Sequence, residues 1–428
     1  MTSTTLKRGM GLTGVIALGL GTAVGVSIFS VIAPATAVAG PAMLAAVAIA
    51  AVPMFILALT YAFMGSAVPT AGASYEWVRR FVSPDLAFFT AWLRIASSTG
   101  AMLILALVLT RYLSMVIPIQ TKPTMLVLFI LVFGVNMIGV KAAAQVQTVL
   151  MGLLLVIFAV FAIWGAPAAA PEAFLPFMPS GWAGVLAATP LLIGLFFGIE
   201  TATEVGEEVK DSRRAIPTGI AVSILAAVAL YLAVAATALG VLGPERLAAS
   251  ETPLLDAAAV FMGQDTARLV IVLAAVVAIG KSLNGLCLIF SRYLYAMGRA
   301  QALPMALGRV NSRFGTPHVA LGTAFACCLF GLLLPMNLTS LFLAVNIPSL
   351  IQYGATCLAA IRVVRHRPDL YEGAAFKLGR RTTAAVAWLG VVAAAVVVLM
   401  GLTTDRAPYV ALAAWGAVGV LYYIVGGR

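Results

Sequence analysis

Twelve apolar runs of about 20 residues or more constrain the fold of this chain more than any other feature of its sequence. An apolar run of this length matches a helix that crosses the hydrocarbon core of a bilayer. Because 62% of the residues are hydrophobic and 10% are charged, one or two soluble cores could not bury the apolar surface. The sequence therefore predicts an all-α integral membrane protein with twelve transmembrane helices. The predicted spans are residues 10–34, 40–65, 84–115, 123–141, 145–165, 183–205, 215–240, 268–298, 317–335, 338–361, 382–402 and 407–426.

The distribution of lysine and arginine predicts how the chain is oriented in the membrane. If the N-terminus faces the cytoplasm, eighteen of these residues fall on the inner side and five on the outer side. This excess follows the positive-inside rule, and an even number of spans places both termini in the cytoplasm. The segments 166–181 and 243–265 are then expected to be outer loops. The net charge of +11 is therefore a sign of topology in a plasma membrane or bacterial inner membrane, and no basic tract predicts nucleic-acid binding.

The sequence offers no constellation for catalysis or for a bound metal. Its four cysteines all fall inside predicted spans, where they are expected to be small buried hydrophobes. Its two histidines have no cysteines or carboxylates at metal-ligand spacing. No Ser/His pair or phosphate-binding loop lies at a plausible depth. We therefore expect a protein that is not an enzyme and that holds neither a metal nor a cofactor.

Glycines interrupt the first and the sixth predicted spans in the middle of their apolar runs. The first run contains GLGTAVGVSIFS, with Gly19, Gly21 and Gly25, and the sixth contains LLIGLFFGIE, with Gly194 and Gly198. A broken helix leaves N–H and C=O groups that lipid cannot satisfy, so such backbone survives where it faces a cavity or a ligand. Half-helix ends offer N–H groups to an anion and carbonyls to a cation, which suits a zwitterion. The alternative is that Gly21 and Gly25 only let two helices pack closely.

The spacing of the two interrupted spans predicts an internal repeat. Spans one and six are five apart, as expected for a 5+5 inverted repeat in which each half begins with a discontinuous helix. The whole chain, residues 1–428, would then form a single transmembrane transporter domain. Repeat one covers about 10–165, repeat two about 183–361, and two trailing C-terminal helices about 382–426.

Five motifs spread over most of the chain carry a resemblance to a known family. They are GTAVGVSIF, PTAGASYEWVRRFVSP, NMIGVKAAAQVQ, FFGIETATEVGEEVKDSRRAIP and SRYLYAMGRAQALP. In this order they resemble the amino acid–polyamine–organocation (APC) superfamily, whose transporters have the LeuT-type inverted-repeat fold. The resemblance implies the same fold here, with discontinuous helices 1 and 6.

The resemblance also implies a substrate site at the two interruptions. Backbone N–H groups around Val26 and Ser27 are expected to receive a carboxylate. An ammonium group is expected at carbonyls near Ala23, Phe197 and Ile199. Val26 stands where the family has a serine and Ser27 where it has a glycine, so a Cβ crowds the carboxylate position. The residues expected to bind substrate are Ala23, Gly25, Val26, Ser27, Phe197, Gly198, Ile199, Glu200 and Asn284.

Several residues near the sixth interruption are expected to take part in gating. Gly194 matches a position where relatives often carry an aromatic gate. Its small size implies either a bulkier substrate or a gate supplied by Phe196 or Phe197. Glu200 matches an acidic position that takes part in gating and pH response in some relatives, including an arginine–agmatine exchanger; the alternative is a structural salt bridge. The three acidic residues that follow are expected to be solvated loop charges. They are Glu204, Glu207 and Glu208, with Lys210, Arg213 or Arg214 as partners.

Lys281 lies within the eighth predicted span, where an ammonium group needs a partner or a water-filled cavity. In several proton-dependent or exchanging relatives, a span-five lysine takes the place that sodium holds in sodium-coupled relatives; Leu154 matches that position here. Lys281 is expected to supply the same charge from span eight, unless it snorkels or forms a simple ion pair. Asn284, one turn further along, is expected in the pocket. Arg94 and Arg292 are expected to be structural or snorkelling.

These features together predict a secondary active transporter of amino acids or related amines that works by alternating access. A permanently charged Lys281 predicts a sodium-independent exchanger (an antiporter), and a titrating Lys281 predicts a proton-coupled symporter. The expected partners are a small-molecule substrate, the lipid bilayer and, for a symporter, protons. Two alternatives stay open. One is a polyamine or other organocation carrier, which the altered carboxylate position favours, and the other is a membrane sensor that binds amino acids without transporting them.

Overall fold

The computed structural model describes residues 6–25, 27–333, 338–404 and 407–425. Within these ranges the chain is helical, and its extended pairing is limited to two isolated bridges, Met10 with Val209 and Ala71 with Val205. The helices are α1 (Leu12–Ala23), α2 (Ser27–Ser30), α3 (Ile32–Ala39), α4 (Met43–Ala67), α5 (Ala73–Phe81), α6 (Pro84–Ser114), α7 (Thr121–Ile138), α8 (Val140–Gly165), α9 (Gly181–Ile193), α10 (Ser212–Ala249), α11 (Pro253–Met262), α12 (Gln264–Arg299), α13 (His318–Leu333), α14 (Leu338–His366), α15 (Pro368–Glu372), α16 (Arg380–Thr404) and α17 (Ala407–Val425).

Many of these helices are long and apolar enough to cross a membrane. In the described ranges, eight pass by length and composition, and a pair bent by 43°, Gly181–Thr189 with Leu191–Glu204, makes a ninth. Three shorter apolar helices accompany them: Pro253–Met262, His318–Leu333 and Tyr409–Val425. Helices satisfy their own backbone groups, as a segment in hydrocarbon must. The chain is therefore an all-α, multi-pass membrane protein, whereas the number of twelve spans remains a prediction.

The outer surface of the helices is as apolar as a lipid-facing surface must be. Large side chains on α7 and α8 are exposed, for example Leu131, Val149 and Ile163. An apolar surface of this kind would be a liability in water. Here it agrees with the membrane location that the sequence predicts.

The first span is interrupted near the place where its glycines predict a break. Helix α1 ends at Ala23, and the next helix begins at Ser27. Val24 leaves helical geometry with φ −75° and ψ 76°, and the Gly25 N–H donates to the Ala23 carbonyl at 2.8 Å. Val26, one of the residues expected to bind substrate, lies outside the described residues.

The sixth span is interrupted at Gly198. Helix α9 is followed by a 3₁₀ turn, Gly194–Phe196, and by a second 3₁₀ segment, Ile199–Glu204. Gly198 lies between them in the left-handed region with φ 102°, which glycine adopts without strain. A Cβ there would also come within 2.7 Å of Thr22 Cγ2. Gly198 thus permits both the turn and the close approach of the first span.

Packing brings the two interruptions together. Helix α1 packs against α8, α10 and α12 and against the 3₁₀ segment Ile199–Glu204. Gly19 allows this approach, because a Cβ there would lie 3.0 Å from the Ile199 carbonyl oxygen. The fold therefore positions the interruptions of spans one and six side by side.

One predicted loop is wrong. Residues 243–265 were expected to be a loop because the segment is polar and contains proline and glycine. In the structure, α10 continues to Ala249 with a kink at Gly243, and α11 occupies Pro253–Met262. Glycines at 243 and 263, both with positive φ, absorb the changes of direction, so little of the segment is left without helical structure.

Candidate functional site

A cavity of about 230 Å³ lies beside the two interruptions. Seven of the residues expected to bind or gate substrate line it: Ala23, Gly25, Ser27, Gly194, Phe197, Gly198 and Glu200. The rest of the wall comes mainly from α6, α12 and α14 and includes residues that the sequence analysis did not assign to the site: Thr22, Arg94, Ser97, Ser98, Ala101, Ile104, Leu105, Ser282, Leu286, Ile289, Val345, Ser349 and Tyr353. The cavity is thus polar at some positions and apolar at others.

The glycines of the first interruption have different roles. A Cβ on Gly21 would lie 2.4 Å from Gln147 Nε2, so Gly21 permits close packing of α1 on α8. Gly25 lines the cavity, and a Cβ there would meet the Ser282 hydroxyl at 3.0 Å. Packing therefore accounts for Gly21, whereas Gly25 borders the cavity.

Protein groups already satisfy much of the backbone at the first interruption. The Ala23 carbonyl accepts hydrogen bonds from the Gly25 N–H at 2.8 Å and from the Tyr231 hydroxyl at 3.0 Å. The Tyr231 hydroxyl also lies 2.8 Å from the Leu195 carbonyl of the sixth span. The Tyr231 hydroxyl has a single proton for these two carbonyls, so the Ala23 carbonyl, where the resemblance implies an ammonium group, shares its second donor with the Leu195 carbonyl.

Lys281 reaches the first interruption from α12. Its side chain is fully buried, and its Nζ donates to the Gly21 carbonyl at 2.6 Å and to the Val24 carbonyl. Among the described residues, no carboxylate forms an ion pair with it. Lys281 is outside the cavity wall. Its ammonium group thus binds carbonyls that the break in the helix leaves free, a position that a metal cation could otherwise occupy.

Glu200 faces the cavity from the second interruption. One carboxylate oxygen accepts a hydrogen bond from the Tyr353 hydroxyl, and the other accepts one from the Gly198 N–H at 3.1 Å. Both donors are neutral. The carboxylate is therefore held in place without a cation in contact with it among the described residues.

Arg94 also faces the cavity, although the sequence analysis expected a structural or snorkelling role. Its guanidinium group donates to the Ser349 hydroxyl and lies 5.5 Å from the ring centroid of Tyr293. Its Nε has no hydrogen-bond partner among the described residues. The sequence does show an arginine eleven residues into an apolar span. The direction of its side chain depends on the packing of the neighbouring helices.

Asn284, which was also expected to bind substrate, lies elsewhere. The Asn284 amide donates to Gln147 Oε1 at 2.9 Å and to the Ala143 carbonyl at 3.0 Å, and it accepts from Asn136 Nδ2 at 2.9 Å. These bonds place it in a buried amide cluster between α7, α8 and α12. The structure does not bring Asn284 to the cavity wall.

The two candidate gating phenylalanines point in different directions. Phe196 is fully buried and packs edge-to-face on Tyr231, with ring centroids 5.6 Å apart. Phe197 lines the cavity and lies 6.1 Å from the ring of Tyr353. A Cβ on Gly194 would meet nothing within 4 Å, so the space beside Phe197 is open. Ile199 is buried outside this cavity.

Two of the three acidic residues after Glu200, Glu204 and Glu208, are buried and are not the solvated loop charges that we expected. Glu208 and Arg292 form a fully buried ion pair with two N–O distances of 2.7 Å. Glu207 pairs with Arg299 at 3.0 Å. Glu204, 2% exposed, accepts hydrogen bonds from the Ser74 N–H and hydroxyl. The expected pairing with the basic residues at 210, 213 and 214 is wrong, because the 3₁₀ turns direct these carboxylates inward, towards α5 and α12.

The described residues contain no group of three histidine, cysteine or acidic side chains that could hold a metal ion. The four cysteines are free, and three of them are buried. The chemistry of the site is therefore that of charged side chains, hydroxyl groups and backbone groups around a cavity.

Comparison with known proteins identifies the family. The sequence profile of the amino acid permease family matches residues 10–424. An uncharacterized transporter of Mycobacterium tuberculosis is 32% identical over 317 residues, which cover 74% of this chain and 71% of the relative. A branched-chain amino acid permease of Bacillus subtilis is 27% identical over 85% of this chain and 83% of the relative. A methylthioribose transporter of the same species is 24% identical over 100% of this chain and 95% of the relative.

These matches span nearly the whole chain, and they agree with its apolar helices and with the cavity at two interrupted spans. They confirm the resemblance that the five sequence motifs carry. A protein of this family carries a small molecule across a membrane and is not an enzyme. The chain belongs to the amino acid permease family of the APC superfamily.

Proposed function

We propose that the protein is a sodium-independent secondary transporter of amino acids or related amines, and that it works by alternating access around the cavity. The observation that carries the proposal is the cavity itself, which lies where the interrupted first and sixth spans meet. Seven residues that the sequence marks as binding or gating residues line it. Irregular backbone at membrane depth is tolerated where it borders a cavity, and transporters place their substrates there.

We propose the corresponding architecture for the whole chain. Ten of the twelve spans form two inverted repeats of five, 10–165 and 183–361, and the last two spans follow as trailing helices at 382–426. The paired interruptions support the repeats, and the excess of basic residues on one side supports cytoplasmic termini. An impermeant thiol reagent should label a cysteine at Ala249 in intact cells and should not label one at Ser212. Labelling of the cysteine at position 212 alone would reverse the topology.

The proposed substrate site consists of the cavity-lining part of the expected residues. Ala23, Gly25 and Ser27 contribute from the first interruption, and Phe197 and Glu200 contribute from the second. Gly198 permits the turn between them, and the open space at Gly194 lets the side chain of Phe197 or of the substrate move. The name of the Bacillus subtilis permease makes branched-chain amino acids the first substrates to test.

Lys281 supports the sodium-independent part of the proposal. Its ammonium group binds the carbonyls of Gly21 and Val24, and so it places a positive charge at the break in span one. A sodium ion would need the same oxygen ligands. A lysine that stays charged supports exchange, whereas one that releases its proton during the cycle supports proton symport.

Uptake into proteoliposomes tests the proposal. The twenty ordinary L-amino acids and a set of polyamines would be supplied with sodium or with choline, at several external pH values. We expect wild-type uptake of at least one amino acid that is equal in sodium and choline. A Lys281→Ala variant should lose uptake, while Lys122→Ala, an exposed lysine at the start of α7, should keep it.

Each other outcome contradicts a part of the proposal. Strict sodium dependence of the wild type would refute the role given to Lys281. Undiminished uptake by Lys281→Ala would make that lysine structural. Binding of amino acids without any uptake or exchange would favour a sensor, and uptake of polyamines alone would favour an organocation carrier.

A further inference from the structure

Two opposite charges face the same cavity without pairing with each other. Arg94 reaches it from α6 and Glu200 from the 3₁₀ segment after Gly198. Among the described residues, neither of them forms an ion pair with any group. By contrast, Glu208 and Arg292, which are fully buried, pair directly with each other. The charges in the cavity wall are therefore the exception within the same protein.

Both cavity charges have unused hydrogen-bonding capacity. A guanidinium group has five N–H donors, and the hydrogen bond of Arg94 to the Ser349 hydroxyl uses one of them. A carboxylate can accept about four hydrogen bonds, and Glu200 accepts two, from Tyr353 and from the Gly198 N–H. Charged groups at membrane depth are costly and are found where they serve a substrate or an ion pathway. A ligand that carries both a carboxylate and an ammonium group would satisfy both.

The two charges lie at the same end of the cavity. Both also line a smaller cavity of about 10 Å³, which is enough for one water molecule. Ile104 and Leu105 are apolar residues of the same wall, further along α6. At 1.5 Å per residue, Ile104 lies about 15 Å from Arg94 along the helix axis. Arg94 and these apolar residues thus lie at separate positions along the cavity wall.

Several backbone groups of the first interruption already have partners within the protein. The Gly25 N–H donates to the Ala23 carbonyl, and Lys281 occupies the carbonyls of Gly21 and Val24. The Ala23 carbonyl also accepts from Tyr231. The free charges of the cavity therefore come from side chains, at Arg94 and Glu200.

We propose that Arg94 binds the carboxylate of the transported molecule while Glu200 binds its ammonium group, with the side chain of the substrate directed towards Ile104 and Leu105. This inference rests on the proposed function and narrows it. The substrate is a zwitterionic α-amino acid with an apolar side chain, and an amine without a carboxylate is a poor substrate. Arg94 is then the residue that distinguishes amino acids from polyamines.

The test begins with the wild-type protein in proteoliposomes and uses the best-transported of the twenty L-amino acids as the probe. Three analogues of that amino acid would compete for uptake: its carboxamide, its decarboxylated amine and its deaminated acid. We expect each of them to compete about 10- to 100-fold more weakly than the parent, because each one leaves a charged protein group without its partner. If the amide and the amine competed as strongly as the parent amino acid, the inference would be overturned without the use of any variant.

Variants then assign the two roles. Arg94→Gln should weaken uptake of the parent amino acid about 10- to 100-fold and should remove the preference for the parent over the carboxamide. Glu200→Gln should remove the preference for the parent amino acid over the deaminated acid. Arg94→Lys should recover part of the affinity, because lysine keeps the charge but lacks the planar fork of donors. Arg111→Gln, an exposed arginine on the same helix, is the matched control and should behave as wild type.

The outcomes separate this inference from the proposed function. If the wild type transports no amino acid, the proposed function fails. If it transports one and Arg94→Gln behaves as Arg111→Gln does, the inference alone fails, and the backbone at the first interruption holds the carboxylate instead. If Arg94→Gln does not yield monodisperse protein, the analogue preferences of the wild type, Arg94→Lys and Glu200→Gln still decide the question.

Discussion

The interruption after Ala23 in the first span and the interruption at Gly198 in the sixth differ in what satisfies their free backbone groups. At the first, Lys281 donates to the carbonyls of Gly21 and Val24, and Tyr231 donates to that of Ala23. These donors come from α12 and α10, which pack around α1. The first interruption is therefore held by the helices behind it.

The second interruption is held more locally and presents more charge to the cavity. The Gly198 N–H donates to the Glu200 carboxylate two residues away, and Tyr353 of α14 donates to the other carboxylate oxygen. The carboxylate keeps accepting capacity on the side of the cavity. If the proposed function holds, we expect the first interruption to serve mainly as a fixed wall and the second to respond to what the cavity contains.

The largest expected effect comes from removing the support of the first interruption. Lys281→Ala would leave the Val24 carbonyl without its donor and the Gly21 carbonyl with only the Ser282 hydroxyl at 3.3 Å, and we expect a loss of about 3 kcal/mol in the free energy of unfolding. Thermal melting in detergent would measure it. Addition of sodium should raise the melting temperature of this variant more than that of the wild type, because the vacated carbonyls can ligate a cation. An unchanged melting temperature would show that the first interruption does not depend on its lysine.

Alanine at the glycine of each interruption compares the two breaks directly. Gly198→Ala puts a side chain at φ 102° and 2.7 Å from Thr22 Cγ2, so we expect it to destabilise the fold by about 2 kcal/mol. Gly25→Ala meets the Ser282 hydroxyl at 3.0 Å in the cavity wall, so it should fold normally and bind substrate more weakly. Melting temperature and substrate affinity of the two variants would be measured side by side. Equal melting temperatures would contradict the strain assigned to Gly198.

This comparison also shows what the sequence could predict. The two interruptions were predicted at the right places because glycine within a long apolar run is a local signal. The apolar spans are local in the same sense, since their length alone matches the bilayer. The family follows from motifs of several residues and needed no knowledge of how the helices pack.

The direction of single polar side chains could not be predicted in this way. Lys281 and Asn284 are one turn apart on α12, yet Lys281 contacts the first span and Asn284 a cluster of amides on α7 and α8. Arg94 faces the cavity, whereas Arg292 pairs with Glu208. In a bundle where every helix has several neighbours, the packing of those neighbours decides which face meets the cavity.

Filling the open space beside the second interruption should have a smaller effect, confined to the choice of substrate. A Cβ on Gly194 would meet no atom within 4 Å, so Gly194→Phe can place an aromatic ring in the cavity without displacing the backbone. We expect uptake of large amino acids to fall about 10-fold and uptake of alanine to change little, because the added ring reduces the cavity volume left for the substrate side chain. Competition assays with amino acids of increasing size would measure it. A uniform loss for all sizes would mean that position 194 acts on the fold.

The smallest expected effects come from two matched Tyr→Phe variants, one for each interruption. Tyr231 lies within hydrogen-bonding distance of the carbonyls of Ala23 and Leu195, so Tyr231→Phe removes a donor that both broken spans share. We expect a loss of about 1 kcal/mol in stability with the analogue preferences unchanged.

Tyr353→Phe removes a neutral donor from Glu200 and leaves that carboxylate freer to bind an ammonium group. The stability of Tyr353→Phe should change less than that of Tyr231→Phe. Its KM for the parent amino acid should change several-fold relative to its KM for the deaminated analogue. The reverse pattern, with altered preferences in Tyr231→Phe and lost stability in Tyr353→Phe, would show that the first interruption is the one that responds to the substrate.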